Sequence, residues 1–222
     1  MSYLASITGP IAVIGLGATG RSVVRYLAPH VQDLCVFDSE PTTEAVSALV
    51  AEFPEVRTCF GDFDWEYIDA AQHIIMSPGV CPYDSQWHDH HRQKMMSDVE
   101  LFAQAVSVPV IAITGSNGKS TVAALLAHTL KQLGYQVAIG ANFGPPALDL
   151  LSQTELDYVI LELSSFQLAL TSSLRPQVAT VLNCSPDHLD WHRDMHDYVE
   201  AKKRIFSGAQ HIVINRDALD TY

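Results

Sequence analysis

The chain has 222 residues, of which 48% are hydrophobic and 17% charged, enough for two buried cores, and this composition excludes a disordered chain. Its formal net charge of −12 argues against a nucleic-acid partner, because such a surface needs a basic face. No apolar stretch reaches the roughly 18 residues that a membrane helix requires, and the N-terminus lacks the basic region of a signal peptide. We therefore expect a cytoplasmic protein without a membrane partner, whose cysteines are reduced thiols.

Short apolar strands recur along the chain, each followed by a polar or glycine-rich turn and then a helix. This alternation predicts a doubly wound α/β fold with mostly parallel sheets, because continuous Val/Ile/Leu runs are typical of strands covered on both faces. The expected strands span residues 11–14, 34–37, 73–76, 110–113, 137–139, 158–163, 178–182 and 211–214.

A break in this rhythm near residue 97 predicts two domains, 1–97 and 98–222. The preceding segment 81–96 is polar, and a new helix over 98–106 leads into the next strand. His88, His90 and His91 lie in the polar segment. We interpret them as part of a surface loop, since no carboxylate or thiol pattern beside them favours a metal site.

The first glycine motif, Gly15-Leu-Gly17-Ala-Thr-Gly20, follows the strand 11–14 and opens a helix over 21–27. In this context a diphosphate can bind at the helix N-terminus, and Asp38 ends the next strand, where such folds present a carboxylate to a nucleotide. The ligand could be NAD, FAD or a UDP-sugar. Alternatively, the glycines only let the helix pack on the strand. Ser77-Pro78-Gly79 follows the strand 73–76 and is either a lip of the same site or an ordinary turn.

The second glycine motif, TGSNGKST at 114–121, is spaced more tightly than the common G-x-x-x-x-G-K-[ST] loop, yet it also lies between a strand and a helix. Successive amides from Gly115 to Lys119 could surround phosphate oxygens, and the Lys119 ammonium could reach the β- and γ-phosphates. Ser120 or Thr121 could ligate Mg²⁺. The predicted ATP-binding residues are Gly115, Ser116, Asn117, Gly118, Lys119, Ser120 and Thr121.

The helix after this motif is expected over 120–133, ending at Gly134. Its predicted apolar face comprises Val122, Leu125, Leu126, Thr129, Leu130 and Leu133.

GSNGKST resembles the ATP loop of the Mur ligases and their folylpolyglutamate synthase relatives. The stretch LELSSFQL at 161–168 resembles the branch of that family that adds D-glutamate. Other residues follow in the family's order: Asn142 in GANFG, Asn183 and Asp187-His188 in LNCSPDHLD, and Lys202 in EAKKRIF. The resemblance covers essentially the whole chain.

The resemblance implies an ATP-dependent amide ligase of peptidoglycan precursor synthesis, monomeric in its full-length form, that joins D-glutamate to UDP-N-acetylmuramoyl-L-alanine through an acyl phosphate. It implies Lys119, Glu162, His188 and Lys202 as catalytic residues. Ser120 and Glu162 would bind one Mg²⁺, His188 a second, and Lys202 would act as a carbamate ligand. Residues implied for the UDP substrate are Gly17, Ala18, Thr19, Asp38, Ser39, Ser77, Pro78, Gly79, Asn142 and Ser164.

In length the sequence departs from that family, whose members have a longer central domain and a third domain. We expect that the adenine and D-glutamate contacts lie outside these residues, that the 222 residues alone are not a competent ligase, and that the second sheet has an exposed edge. Three alternatives remain open: an NAD-binding oxidoreductase, a sister Mur or folylpolyglutamate-type ligase, and a non-catalytic nucleotide-binding fragment.

Overall fold

The computed structural model describes Leu4 and residues 7–217. The chain divides into two compact units, Met1–Asp98 and Val99–Tyr222. Within the described part of the chain, none of the helices combines the length and apolarity that crossing a membrane requires.

Unit one has a five-stranded sheet in the order β3-β2-β1-β4-β5, in which every paired neighbour runs parallel. The strands are β1 Ile11–Ile14, β2 Leu34–Asp38, β3 Arg57–Phe60, β4 His73–Met76 and β5 Met95–Met96. The helices are α1 Ala18–Leu27, α2 Thr43–Glu52, α3 Trp65–Ala70 and α4 Asp89–Arg92. All four residues of β1 are buried, as expected for a central strand covered on both faces.

Unit two repeats this plan with the strand order β10-β9-β6-β8-β7, again all parallel. The strands are β6 Val110–Thr114, β7 Val137–Ala141, β8 Tyr158–Glu162, β9 Val178–Val181 and β10 His211–Ile214. The helices are α5 Asp98–Ala105, which begins on the last residue of unit one, α6 Lys119–Gln132, α7 Ser165–Ala169 and α8 Met195–Lys203, with 3₁₀ turns at Ala147–Ser152 and Arg204–Phe206. The predicted fold of two parallel α/β domains is confirmed.

Both glycine motifs follow a strand with neighbours on either side. β1 lies between β2 and β4, and β6 lies between β8 and β9. At such a switch point the loops leave the sheet in opposite directions and open a crevice at the carboxyl ends of the strands, where α/β folds bind ligands. The fold therefore directs attention to the loops after β1 and β6.

The predicted apolar face of α6 was partly wrong. The helix packs on its sheet through Ala123 and Ala127, which are buried, while Val122, Leu126 and Leu130 are partly buried beside them. Leu125 and Leu133 are 64% and 68% exposed. The small alanines allow the helix backbone to approach the sheet closely, which rotates the contact face away from those two leucines. Gly134 does end the helix region, with φ +92.

The interpretation of the histidine segment as a surface loop is also corrected. Residues Asp89–Arg92 form α4, and His91 is buried. Asp69, from α3, accepts hydrogen bonds on Oδ1 from Nε2 of His90 at 2.8 Å and of His91 at 2.7 Å, which lowers the pKa of Asp69.

These three residues have a spacing that suits a metal ion. However, the His88 amide donates to His91 Nδ1 at 3.1 Å, so the ring proton lies on Nε2 and is donated to Asp69. Hydrogen bonding therefore explains the cluster, and in this arrangement His91 has no lone pair for a metal.

Candidate active site

The first glycine loop is shaped by close packing at two of its glycines. Gly15 has φ +94, and a Cβ there would lie 2.7 Å from Ser77 Oγ. A Cβ on Gly20 would overlap the Gly15 carbonyl oxygen. Gly17, by contrast, has open space around it and precedes α1. Packing accounts for Gly15 and Gly20, as the purely structural alternative supposed, while Gly17 leaves the helix N-terminus approachable by a ligand.

Asp38 fixes the shape of this loop. Its Oδ2 accepts from the Leu16 amide at 2.7 Å, and its Oδ1 accepts from the Glu40 amide at 3.0 Å. Beside it lies a cleft of about 710 Å³ whose lining includes Gly15, Asp38, Ser39, Phe63, Trp65 and Gly79.

The other predicted substrate residues of unit one are close in the fold. Gly17 lines a neighbouring depression together with Asp38, and Ala18 and Thr19 begin α1. Ser77 donates its hydroxyl to the Gly15 carbonyl at 3.2 Å, and Pro78 follows it. The structure thus groups the predicted residues of unit one around the carboxyl ends of β1, β2 and β4.

In unit two, Asn183 holds the second glycine loop, a role that the sequence did not indicate. Its Oδ1 accepts from the amides of Ser116 at 3.1 Å and Asn117 at 2.9 Å, and its Nδ2 donates to the Asn117 carbonyl at 3.0 Å. Two of the amides expected to face phosphate are therefore engaged. The amides in the first turn of α6, at Lys119, Ser120 and Thr121, have no intrahelical acceptor.

The Lys119 side chain folds back over its own loop. Its Nζ donates to the carbonyls of Gly115 at 3.0 Å and Ser116 at 3.2 Å. Gly118, with φ +82, is the residue before α6 and needs glycine for this left-handed conformation. The two hydrogen bonds hold the Lys119 ammonium against the second glycine loop.

Glu162, at the end of β8, carries a buried carboxylate with one open acceptor. The residue is 1% exposed, and its Oε1 accepts from Asn142 Nδ2 at 2.7 Å. Its Oε2 has no hydrogen-bond partner among the described residues. Asn142 also donates its amide to the Glu162 carbonyl at 2.9 Å and follows Ala141, whose φ is +80. A strained backbone and an unpaired buried carboxylate oxygen are typical of ligand sites.

Lys202, on α8, is buried against the same glycine loop. It is 2% exposed, and its Nζ donates to the Gly115 carbonyl at 3.0 Å. Burial, reinforced by the charge of Lys119, lowers the pKa of Lys202 to about 8. A lysine with a lowered pKa has a larger neutral, nucleophilic fraction.

His188 and Ser164 lie at the same end of the unit. His188 has φ +53, and its ring centroid is 4.8 Å from that of Phe166 on α7. Ser164 caps α7: its Oγ accepts from the Gln167 amide at 3.2 Å. Glu162 thus contacts Asn142 directly. Lys202 contacts the second glycine loop directly.

Tyr198 is a further residue that the motifs did not point to. Its hydroxyl lies 2.8 Å from Ser116 Oγ in the loop. Like Asn183, it reaches the loop from a position far along the chain, so no local spacing could have revealed the contact.

These features define a two-unit α/β protein with a nucleotide-type glycine loop in each unit. Residues 9–97 match the family described as "Mur ligase MurD-like, N-terminal domain", and residues 113–221 match "Mur ligase middle domain". The chain belongs to the Mur ligase family.

Curated relatives agree with this family. A UDP-N-acetylmuramoylalanine--D-glutamate ligase from Methylococcus capsulatus is 44% identical over 93% of this chain and 45% of its own length. One from Alcanivorax borkumensis is 44% identical over 94% of this chain and 48% of its own length. The chain thus spans about half the length of these relatives.

Two solved structures share the fold. The UDP-N-acetylmuramate:L-alanyl-gamma-D-glutamyl-meso-diaminopimelate ligase from Neisseria meningitides superposes with a TM-score of 0.58 at 17% identity, covering 96% of this chain and 74% of the other. The UDP-N-acetylmuramate-alanine ligase from Thermotoga maritima gives a TM-score of 0.51 at 18% identity, covering 96% and 50%.

Proposed function

We propose that the chain is the substrate- and ATP-binding part of an ATP-dependent ligase that adds D-glutamate to UDP-N-acetylmuramoyl-L-alanine, in peptidoglycan precursor synthesis. The observation that carries the proposal is the buried Glu162 carboxylate, with its unpaired Oε2, in the same unit as a glycine loop that holds a lysine. Its specificity for D-glutamate is supported by the names of the relatives at 44% identity.

The residues present fit a bound Mg²⁺. An unpaired, buried carboxylate oxygen is the hard ligand that Mg²⁺ prefers, and a hydroxyl such as that of Ser120 is another. We assign Ser120 and Glu162 to one ion, and His188 with Lys202 as a carbamate to a second. Bound there, the ions would neutralise the negative charge that accumulates on the transferring phosphoryl group.

Lys119 and the first turn of α6 would hold the phosphates. The Lys119 ammonium would exchange its loop carbonyls for phosphate oxygens, and the amides of Ser120 and Thr121 would donate to them. This neutralisation lets the substrate carboxylate approach the γ-phosphorus, since two anions would otherwise repel each other. The carboxylate would displace ADP from the γ-phosphorus, giving an acyl phosphate. The D-glutamate amine would then attack the acyl carbon, losing a proton and expelling phosphate as the amide forms.

Lys202 would supply an anionic ligand after carbamoylation. Its neutral amine attacks CO₂ and loses a proton, so that a buried cation becomes an anion. The support is its 2% exposure together with a pKa lowered to about 8. Both favour the neutral amine that this reaction needs.

Unit one would bind the UDP of the substrate. The diphosphate would lie at the N-terminus of α1 near Gly17, Ala18 and Thr19, with the uridine in the cleft beside Asp38 and Ser39. Ser77, Pro78 and Gly79 would form its lip. In unit two, Asn142 and Ser164 would orient the muramoyl-alanine end.

We place the protein in the cytoplasm and regard it as monomeric in full-length form. Cys35, Cys59, Cys81 and Cys184 form no disulfide with one another in the part of the chain that the structure describes.

ATP binding tests the proposal at Lys119. Replacing Lys119 by Ala should weaken Mg·ATP binding at least about tenfold, since one charge-assisted contact to phosphate contributes roughly 1.5–3 kcal/mol. The matched control is Lys131→Ala, an exposed lysine at the end of the same helix. Calorimetric titration should give the wild-type affinity for the control. Equal affinities for all three proteins would contradict the assignment of the loop.

A further inference from the structure

A buried chain of hydrogen bonds links α7 to the N-terminal end of α8. His192 Nε2 lies 2.9 Å from Ser165 Oγ, and His192 Nδ1 lies 3.3 Å from Asp197 Oδ2. Ser165 and His192 are each only 2% exposed. None of the three belongs to the residues assigned above to ATP, metal or substrate.

The direction of each hydrogen bond follows from the partners. Asp197 also accepts a hydrogen bond from Arg193 Nη2 at 2.7 Å. Burial raises the pKa of the Asp197 carboxyl, but the hydrogen bonds from Arg193 and His192 outweigh burial and lower the pKa. Asp197 is therefore an anion, and it accepts a hydrogen bond from His192 Nδ1–H. Burial lowers the pKa of His192, which favours a neutral ring. The Ser165 hydroxyl therefore donates a hydrogen bond to His192 Nε2.

The order Ser–His–Asp is that of a hydrolase triad, but the burial excludes that use. A nucleophilic serine must reach its substrate, whereas Ser165 is enclosed. The Ser165 hydroxyl instead takes part in the hydrogen bonds that connect α7 with α8.

Both ends of this connection lead to proposed ligands. Ser165 is the first residue of α7, three positions after Glu162 and adjacent to Ser164 and Phe166. The Phe166 ring is 4.8 Å from the His188 ring and 5.8 Å from the His192 ring. Asp197 is in the first turn of α8, which carries Lys202 near its other end. The hydrogen bonds therefore connect the β8–α7 segment of Glu162 with the loop and helix of His188 and Lys202.

We propose that His192 is a positioning residue, which through Ser165 and Asp197 sets the spacing between Glu162 on one side and His188 and Lys202 on the other. This inference rests on the proposed function, since it assumes that these three residues bind divalent cations. The Ser165–His192 hydrogen bond, between two residues that are not assigned to the substrate, thereby controls the affinity for the metal ions.

The test measures Mn²⁺ binding to the full chain with equimolar ATP, by the electron paramagnetic resonance signal of free Mn²⁺. A protein-free sample with the same ATP accounts for the Mn²⁺ that ATP alone binds. Ser165→Ala removes the donor. His192→Asn keeps an amide near Nδ1 for Asp197 but leaves Ser165 unpaired. Each should weaken Mn²⁺ binding about tenfold, as losses of residues that orient metal ligands do. His192→Gln presents an amide oxygen near the former Nε2 position, so it should retain more of the affinity than His192→Asn.

Two controls separate positioning from unfolding. Ser173→Ala removes a hydrogen bond of 2.6 Å from Gln104, away from these residues, and should leave Mn²⁺ affinity unchanged. ATP affinity measured without divalent cation should be unchanged in Ser165→Ala and His192→Asn, because Lys119 and the loop amides remain. The double variant should lose no more affinity than the larger single loss, as expected for one shared interaction.

The outcomes are distinct. If the wild type binds Mn²⁺ with ATP and Ser165→Ala binds it equally well, the positioning role is wrong and the proposed function stands. If the wild type itself binds no Mn²⁺ in the presence of ATP, the metal assignment fails and this inference falls with it.

Discussion

The Glu162 carboxylate is buried, and without a bound cation this burial lowers the stability of the fold. One oxygen is bonded to Asn142, while Oε2 has no partner among the residues described. An unsatisfied buried acceptor costs roughly 1–3 kcal/mol and more for a charged group. A cost of this kind is what the proposed cation-binding role of Glu162 would explain.

Glu162→Gln should therefore separate stability from metal binding. Removing the buried charge should raise the unfolding free energy of the metal-free chain by about 1 kcal/mol, while the affinity for Mn²⁺ with ATP falls at least tenfold. Thermal denaturation without divalent cation and calorimetric titration with it measure the two effects. Glu155→Gln, at an exposed glutamate of the same unit, is the control and should change neither. Unchanged metal affinity in Glu162→Gln would remove Glu162 from the site.

Much of this residue-level picture could be predicted because the residues lie in short motifs at strand ends. Lys119 was indicated by the glycine motif between β6 and α6, whereas Glu162, the last residue of β8, and Asn142, directly after β7, were indicated by the resemblance of their segments to the Mur ligases. The contacts of Asn183 and Tyr198 with the glycine loop, and the Ser165–His192 contact, could not be predicted, since the partners are distant in sequence and no periodicity connects them.

At the scale of the elements, all five strands of unit two and the central strands of unit one were predictable, whereas the edge strands of unit one, β3 and β5, were not. β1 and β6 are buried at every residue and read as continuous apolar runs. β3 begins with two exposed residues, Arg57 and Thr58, and β5 has only two residues, so neither gives a strand pattern. Similarly, α6 has more apolar positions than its contact face uses, and periodicity alone could not select Ala123 over Leu125.

The corrected face of α6 predicts opposite sensitivities at neighbouring positions. Ala123→Leu should destabilise unit two by about 1–3 kcal/mol, because the added methylenes meet the sheet directly. Leu125→Ala should stay within about 0.5 kcal/mol of wild type, since Leu125 is 64% exposed. Urea denaturation of both variants checks this. A larger loss for Leu125→Ala than for Ala123→Leu would restore the original prediction of the face.

The Glu100 carboxylate makes two of the hydrogen bonds that connect α5 to the segment after α7. Glu100 Oε2 accepts from the amides of Ser172 at 2.6 Å and Ser173 at 2.9 Å. Burial raises the pKa of Glu100, but hydrogen bonds from the Ser173 side chain, from these two amides and from the Gln104 side chain outweigh burial and hold the pKa below the ordinary value of 4.5. A lowered folded-state pKa stabilises the fold above the unfolded value, and that contribution is lost as the pH falls through the folded value.

Glu100→Gln should thus be destabilising by roughly 1–3 kcal/mol near pH 7, where wild type has the ionised acceptor. The difference in unfolding free energy between the two proteins should shrink as the pH falls below 4.5. Glu100 of the folded wild type becomes protonated in that range and, like Gln, then carries no charge. Denaturant unfolding of both proteins from pH 7 to pH 3 measures it. A difference that is constant over this range would show that the carboxylate charge plays no part.

At the scale of the whole molecule, two α/β units built on the same plan each present a loop after a central strand. Unit one has a cleft of about 710 Å³, and unit two has a lysine-bearing loop beside buried ionisable residues. Because the net charge is −12, an anionic ligand would have to be bound by local amides and a few cations. Each unit thus has its own candidate nucleotide-binding loop.

The most direct test is calorimetric titration of this chain with UDP-N-acetylmuramoyl-L-alanine, with NAD as the comparison ligand. Binding of the UDP-linked substrate, weakened by Asp38→Ala, with no heat from NAD, is the predicted result. Asp64→Ala serves as the matched control, because that carboxylate caps α3 rather than the glycine loop. Binding of NAD but not of the UDP-linked substrate would contradict the account, since the first loop would then be a dinucleotide site.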